Sequence, residues 1–254
     1  MQFLQNILLC LSLPLLCFLT PAALIHADPS APPDGLPRTY EIRDVRSFRD
    51  CGGWRTTDGR RVRRGRIFRS RELNNVNPRR PDRNFTLSDE SRDLLTDTFG
   101  IRTDIDLRDF AECTGMEASP LGDGVARIHV PGERYQFVDT PAGRAAFARV
   151  FHTLLDERNL PAIIHCRAGR DRTGCTVLLL NALLGVSETD LRRDWEFTER
   201  QKGNRRFNYG KIDRLLSTLA RYPGDTVNAQ VEAFVRSLGF DDADIVRFRE
   251  IMLE

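Results

Sequence analysis

Lysine is almost missing from this chain: Lys202 and Lys211 are two among 38 basic residues, so arginine carries nearly all of the positive charge. Arginine's planar fork suits bidentate anion contacts, although genomic base composition accounts for the same bias. Against 36 acidic residues the net charge is only +2, which argues against a protein that holds nucleic acid by bulk charge. A long hydrophobic run is also lacking. The apolar stretch ILLCLSLPLLCFL, residues 7–19, is too short to span a bilayer and contains Pro14. His26, His129 and His152 are scattered without metal-ligand spacing, so neither a metal nor another cofactor is expected. There is no internal repeat. What remains, 254 residues at 41% hydrophobic composition, is enough for a proper core, and a single folded domain is expected.

The first residues read as an address. The apolar stretch is followed by small residues and IHA at 25–27, the pattern of a signal peptide over residues 1–27. The opening MQFLQN has no Lys or Arg, which leaves an uncleaved membrane anchor as the alternative to a secreted or periplasmic protein. No membrane span remains once the leader is removed. Cys10 and Cys17 would leave with the leader, and residues 28–38 form a Pro-rich linker before a folded part over 39–254. Cys51, Cys113, Cys166 and Cys175 remain, and an even number in an exported chain ordinarily means disulfides. Cys175 falls in an apolar helix start where a thiol simply packs. A Cys51–Cys113 pair stays open.

Periodicity predicts an α/β fold. RRGRIFRS (63–70), IRTDIDLR (101–108), VARIHV (125–130) and residues 162–165 read as strands. Helices are predicted over 88–100, with Ser88 as cap and Gly100 at the stop, over 141–159 behind Asp139 or Thr140, and over 173–184 closed by Gly185. From Ser187 onward four helices follow, at 187–201, 209–222, 227–239 and 241–253. Strand and helix alternation implies a mostly parallel central sheet flanked by helices, with an all-helical C-terminal part. Ligands of such sheets bind outside the strand carboxyl ends, where Cys166 and Asp106 both fall.

The most informative junction is IIHCRAGRDRTGCTVLLL, residues 163–180, a strand-to-helix turn rich in glycine and arginine. Turns of this kind aim consecutive backbone N–H groups at one spot, and the helix N-terminus favours an anion there. A nucleotide-binding loop needs G-x-x-x-x-G-K-[ST]; Gly169 to Gly174 is followed by Cys175, so the lysine that reaches terminal phosphates is missing. The loop offers instead a thiol at Cys166, six residues before Arg172, with Gly169 between them to let the backbone curl. A ring of N–H groups over 167–172 and the Arg172 guanidinium would bind a phosphate dianion, and such a field favours a nucleophilic thiolate.

HCRAGRDRTG, residues 165–174, resembles the H-C-x-x-G-x-x-R-[ST] signature of the cysteine-dependent protein tyrosine phosphatase superfamily, and most of all its bacterial branch with H-C-x-A-G-K-D-R-T-G. SFRDCGGWRTTDGRRVRRGRIFRSREL (47–73) and IDLRDFAE (105–112) are similar to two further blocks of that branch, N-F-R-D-L-G-G-Y-x-T-x-D-G closing with [FY]-R-S, and D-L-R-x-x-x-E. The resemblance implies a phosphatase fold over 39–254 and hydrolysis of phosphotyrosine, with dual specificity or phosphoinositides as further substrates in some members. It implies Cys166 as nucleophile, Arg172 as the phosphate fork, His165 as support for the loop, Thr173 as an aid to thiolate departure, and Arg167, Ala168, Gly169, Arg170 and Asp171 around the phosphate. Asp106 is the general acid by this resemblance; Glu133 or Asp139 is the alternative. Arg170 stands where the branch has lysine, and Cys51 where it has leucine, so a reversible Cys51–Cys166 disulfide competes with a plain buried thiol. A non-catalytic phosphate-binding module and a sulfurtransferase-like use of Cys166 are the other classes.

Overall fold

The computed structural model describes residues 24–25, 39–76, 80–132, 138–200 and 210–254. The leader and linker lie outside the described residues apart from Leu24–Ile25 (β1), which pairs antiparallel with Tyr40–Glu41 (β2). Five more strands form one sheet: β3 (Arg49–Asp50), β4 (Ile67–Ser70), β5 (Thr103–Asp106), β6 (Ala126–His129) and β7 (Ala162–His165), in the order β3-β4-β7-β5-β6. All neighbours are parallel except β3, which runs antiparallel to β4.

The apolar run of β7 makes it the middle strand, covered on both faces. Ile163 joins Phe48, Phe68 and Leu95 on one side. Ala162 and Ile164 face the other, against the helices α2 (Pro141–Leu154) and α3 (Asp171–Leu183). α3 is buried on nearly every side, with α4 (Glu188–Arg200) and α6 (Val227–Arg236) packed against it. α5 (Gly210–Leu219) and α7 (Asp242–Met252) complete the helical C-terminal part.

Local chemistry sets the ends. Ser88 caps α1 (Asp89–Asp93) by accepting from the Ser91 N–H, and Thr140 caps α2 by accepting from the Gly143 N–H. Two predicted helices are shorter than their patterns. The first widens into a π-type turn at Leu94–Thr98, where the Thr96 hydroxyl donates to the Arg92 carbonyl and competes with the ladder, and ends at Gly100 with φ +65°. The second stops at Leu154, and Asp156 starts a separate 3₁₀ turn at Glu157–Asn159. Conversely, α3 begins two residues before Thr173, with the acidic Asp171 in its first turn where the helix dipole favours it.

The register matters most for function. Ser70 lies opposite His165, His165 opposite Asp106, and Asp106 opposite His129. The carboxyl ends of four parallel strands are therefore flush, and the residues that follow them open into one crevice.

Candidate active site

Cys166 leaves β7 at that flush edge and the chain turns back into α3 within five residues. Gly169 makes the turn possible. Its φ is +61°, and a Cβ there would run into the Ser70 carbonyl oxygen. Arg69, wholly buried on β4, donates to the Gly169 carbonyl at 3.0 Å and to Asp194 of α4 at 2.8 Å. That bond fixes the Gly169 carbonyl toward β4. Arg49 of β3 adds a bond to Thr198 at 2.7 Å, so one buried arginine fastens the loop to α4 and a second fastens β3 to it. Burial pushes Arg69 down to about 10, Arg49 pushes the same way, and Asp194 opposes both; the side chain still carries its charge at neutral pH. The charges of Arg69 and Arg172 both interact with Cys166, which is itself buried and free.

Arg172 is aimed by its surroundings. It donates to the Leu107 carbonyl at 3.0 Å and to both oxygens of Glu112 at 2.6 and 3.1 Å, while Asp109 lies 3.4 Å away. Glu112 is mostly buried and the Asp109 side chain is 45% exposed. Asp109 and Glu112 also cap one 3₁₀ turn, Phe110–Glu112, the Asp109 N–H donating to Glu112 at 3.0 Å. Neither carboxylate was assigned a role from the motif. The signal was present, since IDLRDFAE spaces both of them after the β5 end, but only a fold shows which side chains meet Arg172.

Asp106 does not fit the part of a proton donor. Its side chain is fully buried. Its Oδ1 accepts from the Arg108 backbone N–H and Nε, and its Oδ2 from Arg108 Nη2 at 2.8 Å and Arg127 Nη2 at 2.7 Å. Burial would raise its pKa, yet His165 and the two hydrogen-bonded guanidiniums more than offset that and hold the carboxyl well below the carboxylate range. A group kept ionised and out of reach anchors β5 and β6, a state that opposes proton donation. Asp139 accepts from Thr218 and Arg221, both at 3.3 Å, and so faces α5 and the residues after it. Glu133 lies outside the described residues.

His165 sits directly beneath the loop, fully buried, with Nε2 2.8 Å from Asp104 and Nδ1 3.9 Å from Asp106. Ser119 donates to the other Asp104 oxygen at 2.9 Å. Thr173 is buried, and its hydroxyl has no hydrogen-bond partner among the described residues, which leaves it available to the thiol end of the loop. Asp171 is paired with Arg170 and with Lys211 of α5, each at 3.1 Å, so α5 touches the loop. Arg167 points outward and Ala168 is half-buried.

The other cysteines and the arginines that follow β3 serve the fold. Cys51, Cys113, Cys166 and Cys175 are all free, and burial pushes the Cys51 and Cys175 thiols up to about 12, a poor state for disulfide exchange. In the arginine cluster that follows β3, Arg60 pairs with Asp58, Arg61 donates to the Gly53 carbonyl and Arg63 to the Ile251 carbonyl. Trp195 packs on Gly174, and Asp194 reaches the loop through Arg69.

Comparison with known proteins extends this picture. A model of the tyrosine phosphatase family matches residues 40–254. A Cupriavidus necator protein named as a candidate tyrosine-protein phosphatase is 29% identical over 197 residues, which cover 67% of this chain and 66% of that protein. Among solved structures, P. aeruginosa TpbA aligns at 15% identity over 71% of this chain and 91% of that chain, with a TM-score of 0.43. The core catalytic domain of the PP-IP phosphatase SIW14 from S. cerevisiae aligns at 17% over 62% and 90%, with a TM-score of 0.37. Structural likenesses of that size carry no argument. The family match does, because it runs from β2 through the Cys166 loop to α7 without leaving out a described element of the sheet or the helical tail, and on it the chain belongs to the tyrosine phosphatase family.

Proposed function

We propose that this chain is an exported, cysteine-dependent phosphatase that hydrolyses phosphotyrosine through a cysteinyl-phosphate intermediate. One observation carries the reading. Arg172, locked by Glu112 and the Leu107 carbonyl, and Cys166 are the two ends of a single tight loop at the flush edge of the parallel strands. In that setting the Cys166 sulfur attacks phosphorus while the Arg172 fork and the loop N–H groups neutralise the equatorial oxygens. The bond to the tyrosyl oxygen breaks, and the departing oxygen takes a proton. Water then attacks the phosphocysteine, with Thr173 donating toward the leaving sulfur.

For the acid we assign Asp109. It is partly exposed, stands 3.4 Å from the Arg172 fork, and among the described residues is not paired with a second arginine as Asp106 is. Phe110, next in the chain, is 73% exposed and offers an apolar ring at the mouth, which favours an aryl phosphate over an alkyl one. Export rests on the leader pattern alone. Among the described residues no helix is long and apolar enough to cross a membrane.

Hydrolysis of p-nitrophenyl phosphate, blocked by vanadate and abolished in Cys166→Ser, tests the reaction, and acid-quench trapping of phosphate on Cys166 tests the intermediate. Retained turnover in that variant would reject the mechanism. Asp109→Asn should slow phenyl phosphate by roughly 10²-fold or more while p-nitrophenyl phosphate, with its better leaving group, loses much less. An equal loss on both substrates would remove Asp109 from the role.

A further inference from the structure

Beside the Cys166 loop lies a cleft of about 470 Å³ that the chemistry above does not use. Its walls carry five arginines from separate segments. Arg43 and Arg46 come from the turns between β2 and β3, Arg83 from the 3₁₀ turn Pro81–Arg83, and Arg71 and Arg167 from the residues just past the ends of β4 and β7. These segments are tied together: the Arg71 N–H donates to the Arg46 carbonyl at 3.0 Å, and the Glu72 N–H to the Arg167 carbonyl at 3.5 Å. Arg167 follows Cys166 directly, and neighbouring Cα atoms are about 3.8 Å apart, so the cleft opens off the phosphate loop itself.

Three carboxylates, Asp44, Glu72 and Asp82, share the cleft with the five arginines, so two guanidinium charges stand in excess. Asp44 is largely occupied elsewhere, and Asp82 lies 3.9 Å from Arg83. One Asp44 oxygen accepts from the Ser88 backbone and hydroxyl and from the Ser91 hydroxyl, and Asp82 hydrogen-bonds Arg80. Glu72 is buried 3.8 Å from Arg108 and also interacts with the charges of Arg167 and Arg71. Meanwhile the Arg71 Nε is buried without a hydrogen-bond partner among the described residues. A donor in that condition, in a cleft with surplus guanidinium, lacks an acceptor that a ligand would bring.

We propose that this cleft is a second anion subsite, and that it selects phosphotyrosine in peptides whose flanking residues are aspartate or glutamate. The inference rests on the phosphatase reading of the Cys166 loop. A peptide fits better than one compact polyanion because the guanidiniums stand on three separate walls. An extended chain places side chains of one face roughly 7 Å apart, so successive carboxylates can meet different arginines. Phe85 adds an apolar surface for their stems.

The test compares one phosphotyrosine peptide with Asp and Glu flanks against its Asn and Gln counterpart, using wild type and Arg43→Gln/Arg46→Gln. Both arginines are exposed and neither belongs to the reacting loop. The acidic peptide should show a kcat/KM about tenfold higher in wild type at low salt, fading as salt rises, and the double variant should erase most of that preference. p-Nitrophenyl phosphate turnover should be the same in both. Equal kcat/KM for the two peptides in wild type overturns the subsite, and so does a double variant that keeps the full preference. A soluble inositol polyphosphate that outcompetes the acidic peptide in an Arg43- and Arg46-dependent manner overturns the peptide assignment. Anisotropy of labelled peptides on Cys166→Ser separates the two levels: preferential binding of the acidic peptide without any turnover by wild type would sink the catalytic reading and keep the subsite.

Discussion

Replacing Glu112 with glutamine removes one charge and leaves the shape. In the native site Glu112 accepts from Arg172 through two hydrogen bonds, at 2.6 and 3.1 Å, with the arginine nearly buried. Hydrogen bonds to charged groups contribute about 1.5–3 kcal/mol each. Glutamine keeps one acceptor for the fork and turns an amide N–H₂ toward the other guanidinium nitrogen, where donor meets donor. About 2 kcal/mol of orientation is therefore lost, which at about 1.4 kcal/mol per decade predicts roughly a 30-fold fall in kcat/KM on p-nitrophenyl phosphate. Glutamine can still accept from the Asp109 N–H, as it does in capping boxes generally, so the local turn survives. Steady-state kinetics paired with a thermal melt reads both parts. Activity within twofold of wild type would show that Arg172 needs no such brace, and a collapsed melting temperature would show that Glu112 holds the fold and not the fork.

Asp106→Asn leaves Arg108 and Arg127 facing a neutral group in a buried setting and should destabilise by about 3–5 kcal/mol in urea unfolding. Because the folded-state carboxyl is held below its ordinary value of about 3.9, its contribution is complete above that pH and is lost as pH falls toward the depressed value; the acid side of the stability profile should be flatter in the Asn variant. Gly169→Ala drives a Cβ into the Ser70 carbonyl at a φ of +61° and should abolish turnover while circular dichroism stays native; an active variant would refute the role given to that close approach. Phe110→Ala should raise KM for phenyl phosphate several-fold, by about 1 kcal/mol of lost ring contact, and leave glycerol phosphate hydrolysis unchanged. With thiols near 12, Cys51 and Cys175 should stay unmodified by iodoacetamide at pH 7 in the folded protein, as peptide mass spectrometry would show.

The strand-to-helix turn was legible because its chemistry is local. A hydrophobic run, a glycine that must take positive φ, and an arginine at fixed spacing determine one another within ten residues; β7 and Gly169 lie where that pattern puts them, and α3 starts two residues early. Caps were legible for the same reason: Ser88 and Thr140 act on an N–H three residues away. Glu112 and Arg172 are 60 residues apart and meet only because β5 lies beside β7 in the sheet. No window of sequence contains that pairing. The arginines of the second cleft are harder still, since Arg43, Arg83 and Arg167 meet around one cleft through tertiary structure alone.

Asp106 is buried and ionised for an instructive reason. Alternation in IRTDIDLR separates Ile105 from Asp104 and Asp106, and alternation ordinarily means one wet face. Here β5 lies between β7 and β6 and both of its faces are covered. Its polar face meets His165, Ser119, Arg108 and Arg127, so the two aspartates are buried by partners of opposite charge and by hydrogen-bond donors. A carboxylate in that state cannot also exchange protons with a substrate, because the partners that make its burial tolerable are the ones that keep it ionised. In the proposed mechanism the proton donor therefore comes from beyond the strand end, where solvent reaches. The chain supplies Asp109 three residues further on, beside the guanidinium that would bind the phosphate.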